Sequence, residues 1–266
     1  MHPIERLRYV ARATGYPQQM VVTEAASALA SFTSDPQGLV TACRRLVSRQ
    51  PSSAPLVWLC ARVLATGDPR AEIYEARTEI EEDRTAVELS HALPDDATVL
   101  VLGWPELIAD ALPRRGDLEV LVVDLFGEGS GLVRRLLQAD VDAVEVPLAG
   151  LGAAAAEADL VLLEGGAVAP TEFLAVSGSR AAAAVARQAG VPVWLVAGVG
   201  RLLPERMWVP LRDRVRPDES WEADEEVVPL ELVDRIAGPD GIREVADALR
   251  RTDCPVVPEL FKGDIL

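Results

Sequence analysis

Two patterns of hydrophobic and polar positions divide the chain near residue 93. Before this point, apolar residues recur at the spacing of amphipathic helices, and short segments containing Pro or Gly interrupt them. After it, short runs rich in Val and Leu alternate with helical patterns, which is typical of a parallel sheet covered by helices on both faces. The pattern predicts an α/β protein with a helical N-terminal subdomain (residues 1–93) and a Rossmannoid, doubly wound domain with a parallel sheet (residues 94–266). The predicted boundary is the turn Pro94-Asp95-Asp96.

The N-terminal subdomain is predicted to be entirely helical. Asp35 and Pro36 are typical of an N-cap followed by the first residue of a helix. The predicted helices are Glu5–Ala13, Thr23–Phe32, Asp35–Ser48, Pro55–Ala65 and a long charged helix over Arg70–Ala92. We interpret this half as a subdomain that packs, caps or dimerises, and we expect the chemistry elsewhere.

The second half is predicted to contain five buried strands with helices between them. The strands are Thr98–Leu102, Leu118–Val123, Val141–Val146, Asp159–Leu163 and Val191–Val196. The helices are Pro105–Leu112, Gly129–Gln138, Gly150–Glu157 and Gly178–Gln188. Beyond Gly200 the pattern predicts an extended segment over Arg201–Glu226, helices over Pro229–Ile236 and Gly241–Arg250, and an apolar tail that docks on its own domain or on a second subunit.

The stretch Asp159–Gly200 has the order strand, loop, helix, strand, which is a βαβ unit. Parallel sheets bind ligands at the carboxyl ends of their strands, so we expect a site in the loop Glu164–Ser179. Ser177-Gly178-Ser179 offers a hydroxyl N-cap and outward-pointing backbone N–H groups at the start of the helix. A phosphate could bind there with help from Arg180. The alternative is that the serines only cap the helix and Arg180 is solvated.

Charge and composition exclude several functions. The formal net charge is −16 and the pI about 4.6, so direct binding to nucleic acid is a poor expectation. The three cysteines (Cys43, Cys60, Cys254) are far apart, which predicts reduced, mostly buried thiols in a cytoplasmic protein. His2 and His91 belong to no metal or triad motif, and no apolar run reaches the length of a membrane span. We therefore expect no metal, no cofactor and no membrane association.

A series of motifs gives the chain a resemblance to a known family. In chain order these are VLVLGW, LEVLVVDLFGEGSG, ADLVLLEGGAV, GSRAAAAVARQAGVPVWLVAG and VVPLELVDRI, after a helical half. This order resembles the alpha, beta and delta regulatory subunits of translation initiation factor 2B, best over Thr98–Ile236. Their superfamily also contains the methylthioribose-1-phosphate and ribose-1,5-bisphosphate isomerases. The resemblance implies a helical bundle followed by a ribose-5-phosphate-isomerase/CoA-transferase-like sheet, and association through the sheet domain into dimers or larger assemblies.

The motifs that carry chemistry in the family's isomerases are degenerate here. The resemblance implies a catalytic cysteine where this chain has Gly103, and a catalytic aspartate where it has Gly166 in Glu164-Gly165-Gly166. The family's acid-Ser-Arg-Pro stretch is reduced to Asp124-Leu125-Phe126-Gly127, and its Asn-Lys-x-Gly-Thr phosphate motif to Ala175-Val176-Ser177-Gly178-Ser179. A glycine can act neither as acid nor as base, and loss of such a group costs on the order of 10²–10⁴ in rate.

Two hypotheses about function remain open. The first is a non-catalytic protein similar to initiation factor 2B, which binds a sugar phosphate or a nucleotide and acts through assembly or interaction, most simply as a homodimer. Its ligand-binding residues are Gly103, Trp104, Gly165, Gly166, Gly178, Ser179 and Arg180, although Trp104 is equally compatible with packing on the helical half. The alternative is a sugar-phosphate aldose–ketose isomerase in which Glu164 or Asp124 supplies the acid and base. The glycine-rich residues 127–131 lack a nucleotide-binding fingerprint, and we interpret them as a loop over the pocket.

Overall fold

Residues 17–262 are described in a computed structural model, and the helix predicted at Glu5–Ala13 lies outside them. The described chain begins with five helices: α1 (Gln18–Leu29), α2 (Pro36–Arg49), α3 (Ala54–Ala65), α4 (Pro69–Glu81) and α5 (Thr85–Ala92). The predicted cap of α2 is confirmed, because the Asp35 side chain accepts a hydrogen bond from the Gly38 backbone N–H at 3.0 Å. Prolines stand in the first turn of α2, α3 and α4, where no intrahelical donor is needed.

The long helix predicted over Arg70–Ala92 is wrong, because Asp83 divides it into α4 and α5. The Asp83 carboxylate accepts hydrogen bonds from the backbone N–H and the hydroxyl of Thr85, at 2.8 and 2.6 Å. Its other oxygen accepts from the Val199 N–H at 2.9 Å, across a sequence separation of 116 residues. A carboxylate that caps a new helix and also binds a distant segment offers the backbone an alternative to continuing the first helix.

Strands and helices alternate after α5 and form two sheets. The strands in the described chain are β1 (Thr98–Leu102), β2 (Glu119–Asp124), β3 (Asp142–Pro147), β4 (Leu160–Glu164), β5 (Ala167–Val168), β6 (Glu172–Val176), β7 (Val193–Val196), β8 (Glu225–Pro229), β9 (Arg235–Gly238) and β10 (Gly241–Glu244). The helices are α6 (Glu106–Arg115), α7 (Gly129–Gln138), α8 (Leu151–Glu157), α9 (Ser179–Ala189), α10 (Glu205–Val215) and α11 (Val245–Leu249). All five predicted strands are confirmed, with shifts of one or two residues at their ends.

The larger sheet has seven strands in the order β10-β9-β7-β4-β1-β2-β3. Neighbouring strands from β9 to β3 are parallel, and only β10 is antiparallel, paired with β9. The mostly parallel α/β sheet predicted from the sequence is therefore confirmed. The smaller sheet, β5-β6-β8, is antiparallel and lies where the sequence predicts only loop and extended chain.

Two helices predicted near the C-terminus are wrong. The segment predicted as helical over Pro229–Ile236 contains the end of β8, a short 3₁₀ turn and the start of β9. Over Gly241–Arg250 the chain forms β10 and only then the short helix α11. Short apolar runs fit a helix or a strand equally well by periodicity. Here the edge of the parallel sheet decides, because Ile236 pairs with Leu195 of β7.

The core of the helical half is completed by residues from the end of the chain. Buried residues of α1 to α4 pack with Trp208 of α10 and with Cys254 and Leu260. We call residues 253–261 the C-terminal strap. Its Asp253 carboxylate accepts a hydrogen bond from the Trp58 indole at 2.9 Å, and its Glu259 carbonyl accepts one from Arg44. The tail predicted to dock therefore packs, over these residues, on the helical half of its own chain.

The distribution of the core bears on the predicted boundary between residues 93 and 94. Helix α5, which lies before that boundary, contributes Ala86 and Leu89 to the core of the large sheet. The boundary stays a prediction, since the two halves share packing across it. The three cysteines are buried and free, as predicted, and burial raises the pKa of Cys254 to about 12.

Candidate functional site

A cavity of about 1050 Å³ opens at the carboxyl ends of β1 and β4, between the sheet and the helical half. Leu102 and Gly103 line it from β1, and Leu163 and Glu164 from β4. Other walls come from the start of α1, from α6 and α7, from β6 and from the segment before and into β8. We call it the strand-end cavity. Its position agrees with the expectation that parallel sheets bind ligands at the carboxyl ends of their strands.

Glu164 is held on the cavity wall by contacts to both of its carboxylate oxygens. One oxygen accepts hydrogen bonds from the backbone N–H groups of Leu107 and Ile108, at 2.8 and 3.2 Å. These amides belong to the first turn of α6, so Glu164 caps a helix that begins after Pro105. The other oxygen lies 2.8 Å from the guanidinium of Arg201. Glu164 thus has the contacts of a structural carboxylate.

Arg201 joins this carboxylate to a second one, Glu106. The Arg201 side chain is 6% exposed, and it also donates to the Gly165 carbonyl at 3.0 Å. Its guanidinium lies 3.5 Å from Glu106, which in turn accepts hydrogen bonds from the backbone N–H groups of Gln18 and Gln19. Glu164 therefore caps α6, Glu106 caps α1, and one buried cation faces both acids.

The pKa values of this cluster follow from burial and charge. Burial lowers the pKa of Arg201, but Glu164 and Glu106 outweigh that effect and hold it above its ordinary value. Burial raises the pKa of Glu106, and the opposing effect of Arg201 does not cancel the rise. Burial also raises the pKa of Glu225, whose side chain lines the cavity near Gly166. Extra negative charge is thus disfavoured beside Glu106 and Glu225.

The start of α9, predicted as a phosphate site, already holds an anion. One oxygen of the Glu226 carboxylate accepts hydrogen bonds from the Gly178 N–H at 2.7 Å and from the Arg180 N–H at 3.0 Å. The preceding residues reinforce the contact, because Ser177 donates through its N–H to the Asp224 carbonyl and through its hydroxyl to that of Ala223. The acidic end of the segment predicted to be extended over Arg201–Glu226 is therefore a structural partner of α9.

Ser179 lies at the same helix start and faces the cavity. Its side chain is buried, at 1% exposure, and its hydroxyl oxygen has no hydrogen-bond partner among the described residues. Buried polar groups are almost always paired with protein or water, so an orphaned hydroxyl at a cavity wall indicates a place for a ligand group or a solvent molecule.

The remaining predicted residues divide into two groups. Gly103, Trp104 and Gly166 line the cavity, and Trp104 lies over α7, where a Cβ added to Gly131 would be 2.7 Å from its ring. Trp104 thus forms a cavity wall, one of the two predicted roles. Gly165, Gly178 and Arg180 do not line it, and Asp124 uses an oxygen to cap α7 at the Gly129 N–H, 3.0 Å away.

Sequence reasoning missed Arg201, Glu106 and Glu226. Two of them had a signal in their position: Arg201 directly follows the turn after a buried strand, and Glu106 follows Pro105 at a helix start. Glu226 is one of several neighbouring acids, and only the pairing of β8 with β6 shows which of them reaches α9. Arg134 of α7, exposed at the cavity mouth, was also not singled out.

The described residues form neither a metal-binding cluster nor a membrane-spanning helix. Between residues 17 and 262, no group of three or more His, Cys, Asp or Glu side chains is arranged to hold a metal ion. Within that range there is also no helix whose length and apolarity would let it cross a bilayer.

Comparison with solved structures identifies proteins of the same fold. Translation initiation factor eIF-2B from Pyrococcus horikoshii OT3 is 14% identical, with a TM-score of 0.75 over 93% of this chain and 98% of that chain. eIF2B beta from Chaetomium thermophilum is 19% identical, with a TM-score of 0.75 over 97% and 91% of the two chains. A chain of the tetrameric eIF2B-beta2-delta2 complex from C. thermophilum is 19% identical, with a TM-score of 0.77 over 93% and 92%. No protein-family model and no curated protein matches this chain.

The similarity extends over nearly the whole of each chain, so it covers the helical half as well as the sheets. The chain has the fold of the eIF2B subunits, and the fold that the motif resemblance implies is confirmed. At such identities the comparison establishes architecture, and function has to be argued from the site itself.

Proposed function

We propose that this chain, which has the fold of the eIF2B subunits, is a non-catalytic protein that binds a phosphorylated sugar or nucleotide in the strand-end cavity. The observation that carries the proposal is the state of Glu164. Both of its oxygens are engaged, one by α6 amides and one by Arg201, and its side chain is 11% exposed. Three of the four acceptor positions of this carboxylate hold α6 and Arg201 in place, so taking up a substrate proton as a general base would weaken contacts that the fold uses.

The second carboxylate of the isomerase alternative is no better placed. Asp124 caps α7 through Gly129 and does not line the cavity. The strand-end positions that face the cavity, Gly103 and Gly166, have no side chain to exchange a proton. Binding is supported by different features: the volume of the cavity, the unpartnered Ser179 hydroxyl and the Arg134 side chain at the mouth.

Assembly is the second part of the proposal. One of the structures with this fold is a chain of a tetrameric complex, eIF2B-beta2-delta2. We propose that this chain likewise acts as part of an oligomer, and that copies associate through the sheet domain. Two exposed apolar side chains, Val144 in β3 and Leu148 directly after it, support a contact on that side.

One experiment on the purified protein distinguishes ligand binding from catalytic turnover. Thermal unfolding is measured with a panel of phosphorylated sugars and nucleotides, and each compound that raises the melting temperature is incubated with the protein and followed for product by NMR. We expect stabilisation without conversion, because a ligand that binds only the folded state shifts unfolding by mass action.

Glu164→Gln serves as the diagnostic variant. Because Glu164 caps α6 and pairs with Arg201, this substitution is expected to lower the melting temperature while ligand conversion stays absent, as in the wild type. Conversion by the wild type that Glu164→Gln abolishes would establish the isomerase instead. A panel in which no compound raises the melting temperature would refute the binding role and leave interaction through assembly.

A further inference from the structure

The start of α9 combines a charged helix end with an anion supplied by the chain itself. A helix N-terminus carries roughly half a positive charge, which Glu226 more than offsets with its carboxylate. The two amides that a phosphate would use, those of Gly178 and Arg180, are donated to Glu226. An anionic ligand group at this helix start therefore meets amides that are already occupied and a like charge.

Ser179 offers an unpaired hydroxyl beside the same helix end. Its buried hydroxyl faces the cavity and has no partner among residues 17–262. A ligand hydroxyl can donate to or accept from this oxygen without bringing negative charge next to Glu226. The chemistry of this wall thus favours an uncharged, hydroxyl-bearing end of a ligand.

The wall formed by α7 carries positive charge. Arg134 and Arg135 of α7 both line the cavity, but Arg135 is paired with Asp110 at 2.6 Å. Arg134 is exposed and forms no ion pair with any residue of the described chain. Among the cations that line the cavity, Arg134 is therefore the one left without an acidic partner among the described residues, because Arg201 is paired with Glu164 and Glu106.

We infer that Glu226 is a specificity residue that orients the ligand: it excludes phosphate from the start of α9, so that a sugar phosphate lies with its hydroxyls at Ser179 and its phosphate at Arg134. This orientation rests on the proposed binding function. The sequence alone predicts a phosphate at the start of α9. In the structure the Glu226 carboxylate binds the Gly178 and Arg180 amides there and competes with a phosphate for them.

Inorganic phosphate, titrated by calorimetry into purified variants, tests the competition directly. Glu226→Gln keeps an oxygen acceptor for the two amides but removes the charge, and Glu226→Ala vacates the amides altogether. Both are expected to bind phosphate on the order of tenfold or more tightly than the wild type, because a like charge next to the site is removed. Adding Ser179→Ala to Glu226→Gln should reverse much of the gain, since phosphate at α9 would also use that hydroxyl.

Glu222→Gln is the matched control, because it removes the same charge from an exposed position in the same segment. Its phosphate affinity should equal that of the wild type. An equal affinity in wild type, Glu226→Gln and Glu226→Ala would overturn the inference, whatever the ligand screen shows. If Glu226→Ala is unfolded by circular dichroism, Glu226→Gln decides alone.

The second arm of the experiment tests Arg134 and uses ribose 5-phosphate. Arg134→Gln is expected to weaken its binding to the wild-type background roughly fivefold or more, because a charge-assisted contact to phosphate is lost. Arg135→Gln, whose charge is already compensated by Asp110, should change it less. Equal effects of the two substitutions would contradict the orientation. Absence of ribose 5-phosphate binding together with a phosphate gain in Glu226→Gln would count against this ligand alone and uphold the exclusion by Glu226.

Discussion

The guanidinium of Arg201 lies between two carboxylates in a part of the molecule that water scarcely reaches. Removing one partner of a buried ion pair costs about 3–5 kcal/mol, since the remaining charge is left uncompensated. We therefore expect Arg201→Ala to lower the free energy of unfolding by about 3–5 kcal/mol in urea denaturation at neutral pH.

Arg77→Ala provides the comparison for Arg201. Arg77 pairs with Glu81 one turn along α4, and both side chains are largely exposed. An exposed pair of this kind contributes about 0.5 kcal/mol or less. A loss from Arg201→Ala as small as that from Arg77→Ala would mean that Glu164 and Glu106 do not depend on the buried cation.

Single residues at the site were predictable when a motif named them. Gly103, Gly166 and Ser179 stand at positions that the resemblance marks, and all three line the cavity. The partners of Glu226 and Arg201 were not predictable, because their contacts with Gly178 and Glu164 cross 48 and 37 residues of chain. Such contacts depend on strand order, which a single sequence does not contain.

At the scale of elements, Asp83 couples the α4–α5 turn to the segment after β7. Asp83→Ala removes its hydrogen bonds to Thr85 and to the Val199 N–H, leaving half-buried amides without their acceptor. We expect a loss of about 1–3 kcal/mol in stability. We also expect faster hydrogen exchange at Val199, followed by NMR or mass spectrometry.

Asp68→Ala is the matched control for the helix-capping part of this effect. Asp68 caps the other end of α4, where it accepts from the Ala71 N–H at 3.1 Å, and it has no distant partner among the described contacts. Its loss should cost about 1 kcal/mol and leave exchange at Val199 unchanged. Slow exchange at Val199 in Asp83→Ala would show that the long-range hydrogen bond contributes little.

Element type was predictable where the surroundings matched the local pattern. Strands such as Thr98–Leu102 are buried on both faces and read as continuous apolar runs, so they were found. The segment around Ile236 also contains apolar residues, but it forms a strand by pairing with β7 on one side and β10 on the other. The hairpin of β5 and β6 was missed for a related reason, since β5 is two residues long and depends on pairing with β6.

At the scale of the whole molecule, β3 is an edge strand with an exposed apolar surface. Val144 and Leu148 are 52% and 54% exposed. Leu137, near the end of the preceding helix α7, is 52% exposed. Proteins usually protect such edges with charge or cover them with another chain. We expect the purified protein to sediment as an oligomer, and the double substitution Val144→Lys with Leu148→Lys to shift it to monomer.

Tyr74→Lys tests whether any added lysine has this effect. Tyr74 is 72% exposed on α4, in the helical half, so the sedimentation of this variant should match the wild type. A monomeric wild type, or dissociation caused equally by Tyr74→Lys, would exclude association through β3.

The C-terminal strap has a consequence for synthesis on the ribosome. Helices α1 to α4 leave the ribosome well before three residues of their core, Trp208, Cys254 and Leu260. The Trp58 indole likewise has no hydrogen-bond acceptor until Asp253 has been made. The nascent helices therefore present an incomplete apolar surface until residue 260 has been made, which exposes this half of the chain to chaperones during synthesis.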